Sequence, residues 1–163
     1  MRAVSLIFDE QPELTVAFKR DTALLVESIM NLLHSVEFLL ARRGDLEDHI
    51  LSVIRKVQVK NGMTDKDVCI TFVSESPLVV CRWGDVCVDR VEFFQCTGRK
   101  SCYQILSPLH RYMVERSAFV LCCTAARPDA LQPLMQYASR IRVPVFNLLK
   151  NEEADAFLRS LYL

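Results

Sequence analysis

Glycine is scarce in this chain, with four residues among 163, and the scarcity excludes the common phosphate-cradling loops. Neither Gly-x-x-x-x-Gly-Lys-Ser/Thr nor Gly-x-Gly-x-x-Gly occurs, and so few glycines leave no second place to build one. The Gly-x-Ser-x-Gly turn that presents a nucleophilic serine is missing as well. Net charge is also lacking: 20 Lys and Arg balance 20 Asp and Glu, which argues against a surface built to neutralise nucleic-acid phosphates. There is no long uninterrupted apolar run. The longest, residues 23–41, is broken by Glu27, Asn31, His34 and Glu37, so no membrane span is expected. The amino-terminal apolar run ends at Asp9 and Glu10, too early for a cleavable leader. The expected location is therefore intracellular, cytoplasmic or nuclear, where thiols stay reduced.

What the chain does hold is apolar material. A hydrophobic content of 51% with only six prolines excludes disorder and predicts one domain over residues 1–163. Seven cysteines are the unusual entry, and an odd number cannot form a fully paired framework within one chain.

Residues 3–8 and 14–18 read as strands around the turn-prone Asp9-Glu10-Gln11-Pro12. Asp21 is placed to cap a long helix running to Arg43, with Leu25, Ile29, Leu32, Leu33, Val36, Leu39 and Leu40 at helical spacing. Arg42 and Arg43 would complement the negative end of its dipole, and Gly44 would end it. A second helix follows at once. Asp45, Glu47 and Asp48 fill its first turn, and Leu46, Ile50, Val53, Ile54 and Val57 line one face. So short a connection predicts an antiparallel helical pair.

Residues 68–73, 78–82 and 86–94 are rich in β-branched and aromatic side chains and are separated by turn-formers, which predicts an antiparallel β-meander. Ser107 and Pro108 suit the cap and first position of a short helix. Residues 118–123 then read as a buried strand, Asp129 starts a helix, residues 143–148 form a strand, and Asn151 starts a terminal helix. This is a right-handed βαβα unit with parallel strands. The expected fold is thus α/β with a mixed sheet: an N-terminal antiparallel helical pair, a central antiparallel meander and a C-terminal βαβα unit. The strand–helix–strand pattern over 119–149 is shared by RNA-binding folds and by any parallel crossover, so it assigns no family.

Catalytic templates fail at nameable residues. Cys122 and Cys123 close a strand before Thr124-Ala125-Ala126-Arg127, where a phosphatase-type thiolate would sit. That chemistry needs five residues between Cys and Arg, whereas only four separate Arg127 from Cys122 and three separate it from Cys123, in a loop without glycine. Packing as small apolar side chains explains both cysteines more simply. Cys81, Cys87, Cys96 and Cys102 are spaced by five, eight and five residues, looser than structural zinc sites require, so no metal is expected. Asp85, Asp89 and Glu92 could hold a metal in a nuclease, but Val91 and Phe94 stand where its lysine would be, so a solvated strand face is preferred.

Three functional readings follow. The favoured one is a non-catalytic protein-interaction subunit or adaptor, with another protein chain or a second copy as partner and no cofactor. Its docking face would be Leu24, Val26, Met30 and Phe38, which lie off the main stripe of the first helix and make it apolar around most of its circumference. A helix buried centrally would show the same pattern. The second is an enzyme whose crevice, lined by Thr124, Arg127 and Asn147, opens at the carboxyl ends of the last two strands. The third is a nucleic-acid-binding accessory protein using Arg99 and Lys100 with Arg140 and Arg142, a reading the zero net charge disfavours.

Overall fold

The computed structural model describes residues 1–8, 11–75, 82–83, 86–95, 106–124 and 131–160. In chain order these form β1 (Arg2–Phe8), α1 (Val16–Leu33), β2 (Val36–Leu40), α2 (Asp45–Lys60), β3 (Val68–Ser74), β4 (Arg82–Trp83), β5 (Val86–Cys87) and β6 (Arg90–Phe93). They continue as α3 (Pro108–Arg116), β7 (Ser117–Cys123), α4 (Gln132–Arg140), β8 (Val145–Asn147) and α5 (Asn151–Ser160). Six strands make one sheet in the order β6-β3-β2-β1-β7-β8, and every pairing in it is parallel. The near-continuous apolar runs of β1, β2, β3 and β7 suit this placement, because a central parallel strand is covered on both faces.

The expected antiparallel meander, and with it the mixed main sheet, is therefore corrected. Among the described residues, only the two-residue strands β4 and β5 pair antiparallel. Residues 76–81, most of the expected second meander strand, lie outside the described residues. Past the hairpin, Asp89 pins the chain to the start of β3. Its amide donates to the Ile70 carbonyl at 2.8 Å, and its Oδ2 accepts from the Ile70 amide at 2.7 Å. Its Oδ1 meets Arg55 of α2 at 2.7 Å. Residues 90–93 then run beside β3 in the same direction. A carboxylate fixes this register, where periodicity alone pointed to a hairpin.

The long first helix and the antiparallel helical pair are also corrected. Thr15 caps α1 by accepting from the Phe18 amide at 3.2 Å, so residues 14–18 open a helix and form no strand. The helix stops at Leu33, where His34 adopts the left-handed conformation at φ 53° and its amide closes on the Met30 carbonyl. Val36, Leu39 and Leu40 fit a helical stripe and a doubly buried strand equally well. The slot between β1 and β3 decides for the strand. β2 thus separates α1 from α2, and both helices return against the strand direction over the same face, parallel to each other. Glu27–Lys60 at 2.7 Å, Asn31–Asn61 at 2.9 Å and His49 on the Lys19 carbonyl at 3.3 Å tie them together. Burial lowers the pKa of His49, partly offset by that carbonyl contact.

The two faces of the sheet differ in chemistry. Under α1, α2 and α5 it is apolar, with Val4, Leu6, Phe8, Phe38, Leu40, Ile70 and Phe119 in one continuous core. Under α3 and α4 it mixes apolar residues with a polar seam. Ser5 and Ser117 share a hydrogen bond of 2.6 Å. Glu37 of β2 accepts from Thr71 at 2.6 Å and pairs with Arg116 at 3.3 Å. Arg116 also pairs with Glu92 of β6, which in turn accepts from Tyr112. The expected cap holds at α3, where Ser107 accepts from the His110 amide at 3.1 Å. No helix among the described residues is long and apolar enough to cross a membrane.

Candidate functional site at the carboxyl edge of the sheet

From β1 the chain moves outward through β2 and β3 to β6, then returns by α3 to the other side of β1 as β7. The strand order therefore reverses between β1 and β7. The connection after β1 leaves toward α1 on one face and the connection after β7 toward α4 on the other. Open parallel sheets bind ligands beyond the carboxyl ends of the strands at such a reversal. Phe8, paired with Cys123, is the last residue of β1 there.

Two of the three residues expected to line a crevice come together here. Asn147, at the end of β8, donates from Nδ2 to the Thr124 carbonyl at 2.9 Å and accepts the Thr124 amide at 3.4 Å. The same Oδ1 accepts the Leu149 amide at 3.1 Å. One side chain thus clamps the exits of β7 and β8, satisfying backbone groups that a terminating sheet leaves unpaired. Arg127 lies outside the described residues. Asn147→Leu is expected to lower stability by about 1–2 kcal/mol, since it orphans backbone groups that are only partly solvated. Chemical denaturation with amide exchange at Thr124 and Leu149 checks this. Unchanged exchange at both would show that the clamp does not hold the edge.

The remaining expectations fall elsewhere. Val26, Met30 and Phe38 are completely buried, and only Leu24, 57% exposed, remains at the surface, so these four form no docking face. Cys122 and Cys123 are buried on opposite faces of β7, away from any nucleophile position. Cys81, Cys96 and Cys102 lie outside the described residues, as do Asp85, Arg99 and Lys100. Among the described residues no cluster of three or more His, Cys, Asp or Glu could hold a metal ion. Arg140 ends α4 and Arg142 follows it, at the amino edge of the sheet.

A group on the β2 side of Phe8 escaped the sequence reading. Arg42, read there as the last turn of a helix, follows the carboxyl end of β2 and donates from Nη1 to the Phe8 carbonyl at 3.0 Å. Its Nε stands 3.4 Å from Oε1 of Glu47, a fully buried carboxylate in the first turn of α2. Gln11, from the β1–α1 connection, donates to Glu47 Oε2 at 2.9 Å and accepts the Leu46 amide at 3.0 Å. It thereby supplies the cap that Gly44 lacks. A Cβ on Gly44 would stand 2.6 Å from both the Gln11 amide nitrogen and Glu47 Oε2, so a larger residue there would push this contact out of place. The signal was available in Ala41-Arg42-Arg43-Gly44, which is a strand-exit loop once residues 36–40 are a strand.

A separate open hollow of about 470 Å³ on this edge is lined by Asp21, Leu149, Lys150, Glu152 and Glu153. Its three carboxylates make it a poor seat for an anion.

No family model matches the chain, and no curated protein matches it in sequence. Solved structures do resemble it in fold. The molybdenum cofactor carrier protein MCP from Chlamydomonas reinhardtii is 12% identical with a TM-score of 0.54, over 90% of this chain and 75% of that one. The structural-genomics target TM1055 is 9% identical with a TM-score of 0.53, over 89% of this chain and 72% of that one. The reading as an interaction subunit or adaptor docking through the first helix is corrected. The proposed docking face does not exist as a surface, since three of its four residues, Val26, Met30 and Phe38, are core.

Proposed function

We propose that this chain is a small-molecule-binding domain that holds a nucleotide- or cofactor-class ligand where the carboxyl ends of β1 and β7 meet. The reversal of strand order at that point carries the reading, because open parallel sheets bind ligands there. The Thr124–Asn147 clamp supports it by giving one wall a fixed shape, and Arg127 belongs to the same connection. The ligand class is supported by the likeness to a protein named as a carrier of molybdenum cofactor. With no glycine-rich loop in the sequence, side chains would do the holding that backbone amides do in dinucleotide-binding sheets.

The test is a titration of isotope-labelled protein with adenine nucleotides, AMP and NADP⁺, followed by amide resonances. Saturable shifts centred on Phe8, Thr124 and Leu149 are expected. Thr124→Trp, which fills the crevice, should weaken binding by roughly tenfold or more, about 1.4 kcal/mol, at an unchanged melting temperature. Absence of binding across the set, or binding indifferent to the tryptophan, would defeat the reading.

A further inference from the structure

We infer that Arg42 recognises an oxyanion, a phosphate or carboxylate group, on the ligand of this crevice, and that Gln11, Gly44 and Glu47 hold it ready to do so. The inference rests on the crevice reading above. A wholly buried carboxylate costs several kcal/mol unless it is paired and hydrogen-bonded. Glu47 meets that condition through two groups, the Gln11 amide at 2.9 Å and the Arg42 Nε at 3.4 Å, while its Oε1 accepts no hydrogen bond among the described residues. Capping of α2 does not call for this arrangement, since the oxygen of Gln11 already accepts the Leu46 amide. What the buried carboxylate adds is a fixed guanidinium.

The fixing is specific in direction. Nη1 is held by the Phe8 carbonyl and Nε lies 3.4 Å from the Glu47 carboxylate, yet the side chain stays 48% exposed. Nη2 meets no partner among the described residues, so the outer fork of Nη1 and Nη2 hydrogens is left for a planar or tetrahedral oxyanion, the geometry guanidinium binds with two parallel bonds. Its neighbour Arg43 is engaged by Asp48 at 3.5 Å, which leaves Arg42 as the oriented cation beside β1. Arg42 and Thr124 then flank the end of β1 from its two neighbouring strands, spaced about 4.8 Å on either side. An anionic ligand seated over Phe8 would touch both.

Adenosine and AMP differ by one phosphate and serve as the probe pair for calorimetry or resonance titration. The wild-type protein is expected to bind AMP at least roughly tenfold more tightly than adenosine. Arg42→Gln should remove that difference while leaving adenosine binding as it was. Arg42→Lys keeps the charge without the fork and should give a partial loss, and it keeps the test open should the glutamine variant unfold. Equal binding of AMP and adenosine by the wild type, or undiminished AMP preference in the variants, would overturn the role of Arg42 with the crevice intact. A wild-type protein that binds neither compound would overturn the crevice reading itself.

Discussion

Phe38→Ala is expected to destabilise the protein by about 3–5 kcal/mol, the cost of emptying an aromatic site in a core that cannot collapse around it. Phe38 is completely buried at the centre of β2. In register it stands between Val4 of β1 and Ile70 of β3, and Val4 pairs in turn with Phe119 of β7. These residues make one row across the middle of the sheet, beneath α1 and α2. Neighbours fixed on both sides by strand hydrogen bonds have little freedom to move in. Urea denaturation reads the loss directly as a fall in the midpoint with little change of slope. Leu24→Ala, at the exposed site on α1, serves as the contrast and should stay within about 0.5 kcal/mol of the parent. A Phe38 variant as stable as the Leu24 one would mean that the row is not the core.

The second large effect is expected at Arg116. Its guanidinium reaches Glu37 and Glu92, carboxylates from two different strands, and holds the carboxyl end of α3 against the polar seam. Arg116→Met removes the main cation from Glu37, whose side chain is 10% exposed, and leaves it Thr71 at 2.6 Å and Arg90 at 3.7 Å. Breaking a buried pair from one side costs about 3–5 kcal/mol, and partial exposure with a residual cation reduces that here to about 2–3 kcal/mol. The double variant Arg116→Met with Glu37→Met should recover much of the loss, because no charge is then stranded. A thermodynamic cycle over the four proteins measures this coupling. Additive losses would show that the seam is not an energetic unit.

The sequence made the C-terminal third legible because strand and helix there differ in length and pattern. Residues 118–123 are an apolar run too short for a helix, and the Ser107-Pro108 start of α3 is a local signal that tertiary contacts do not override. Residues 23–41 were opaque for the opposite reason. A helix and a doubly buried strand stand end to end, both continuously apolar, and the break is one left-handed residue, His34, that is neither glycine nor asparagine. Once that break was missed, Arg42 and Gly44 were assigned to a helix end, and their place at the edge of a sheet could not be seen. The parallel pairing of β6 was equally hidden, because it depends on Asp89 reaching Ile70 across a hairpin. That Thr124 and Asn147 would lie close together was legible because both end strands expected to run parallel, and their hydrogen bonds join those strand exits.

The position of β1 bears on how the chain acquires its fold. Its partner on one side, β2, arrives after a single helix, but its partner on the other, β7, lies near the far end of the sequence: Val4 waits for Phe119. Closing so long a loop carries an entropic cost that no local contact offsets, and it slows folding. During synthesis β1 therefore has one unpaired, strongly apolar edge until most of the chain has been made. In that interval β1, later the centre of the sheet, is open to pairing with another chain.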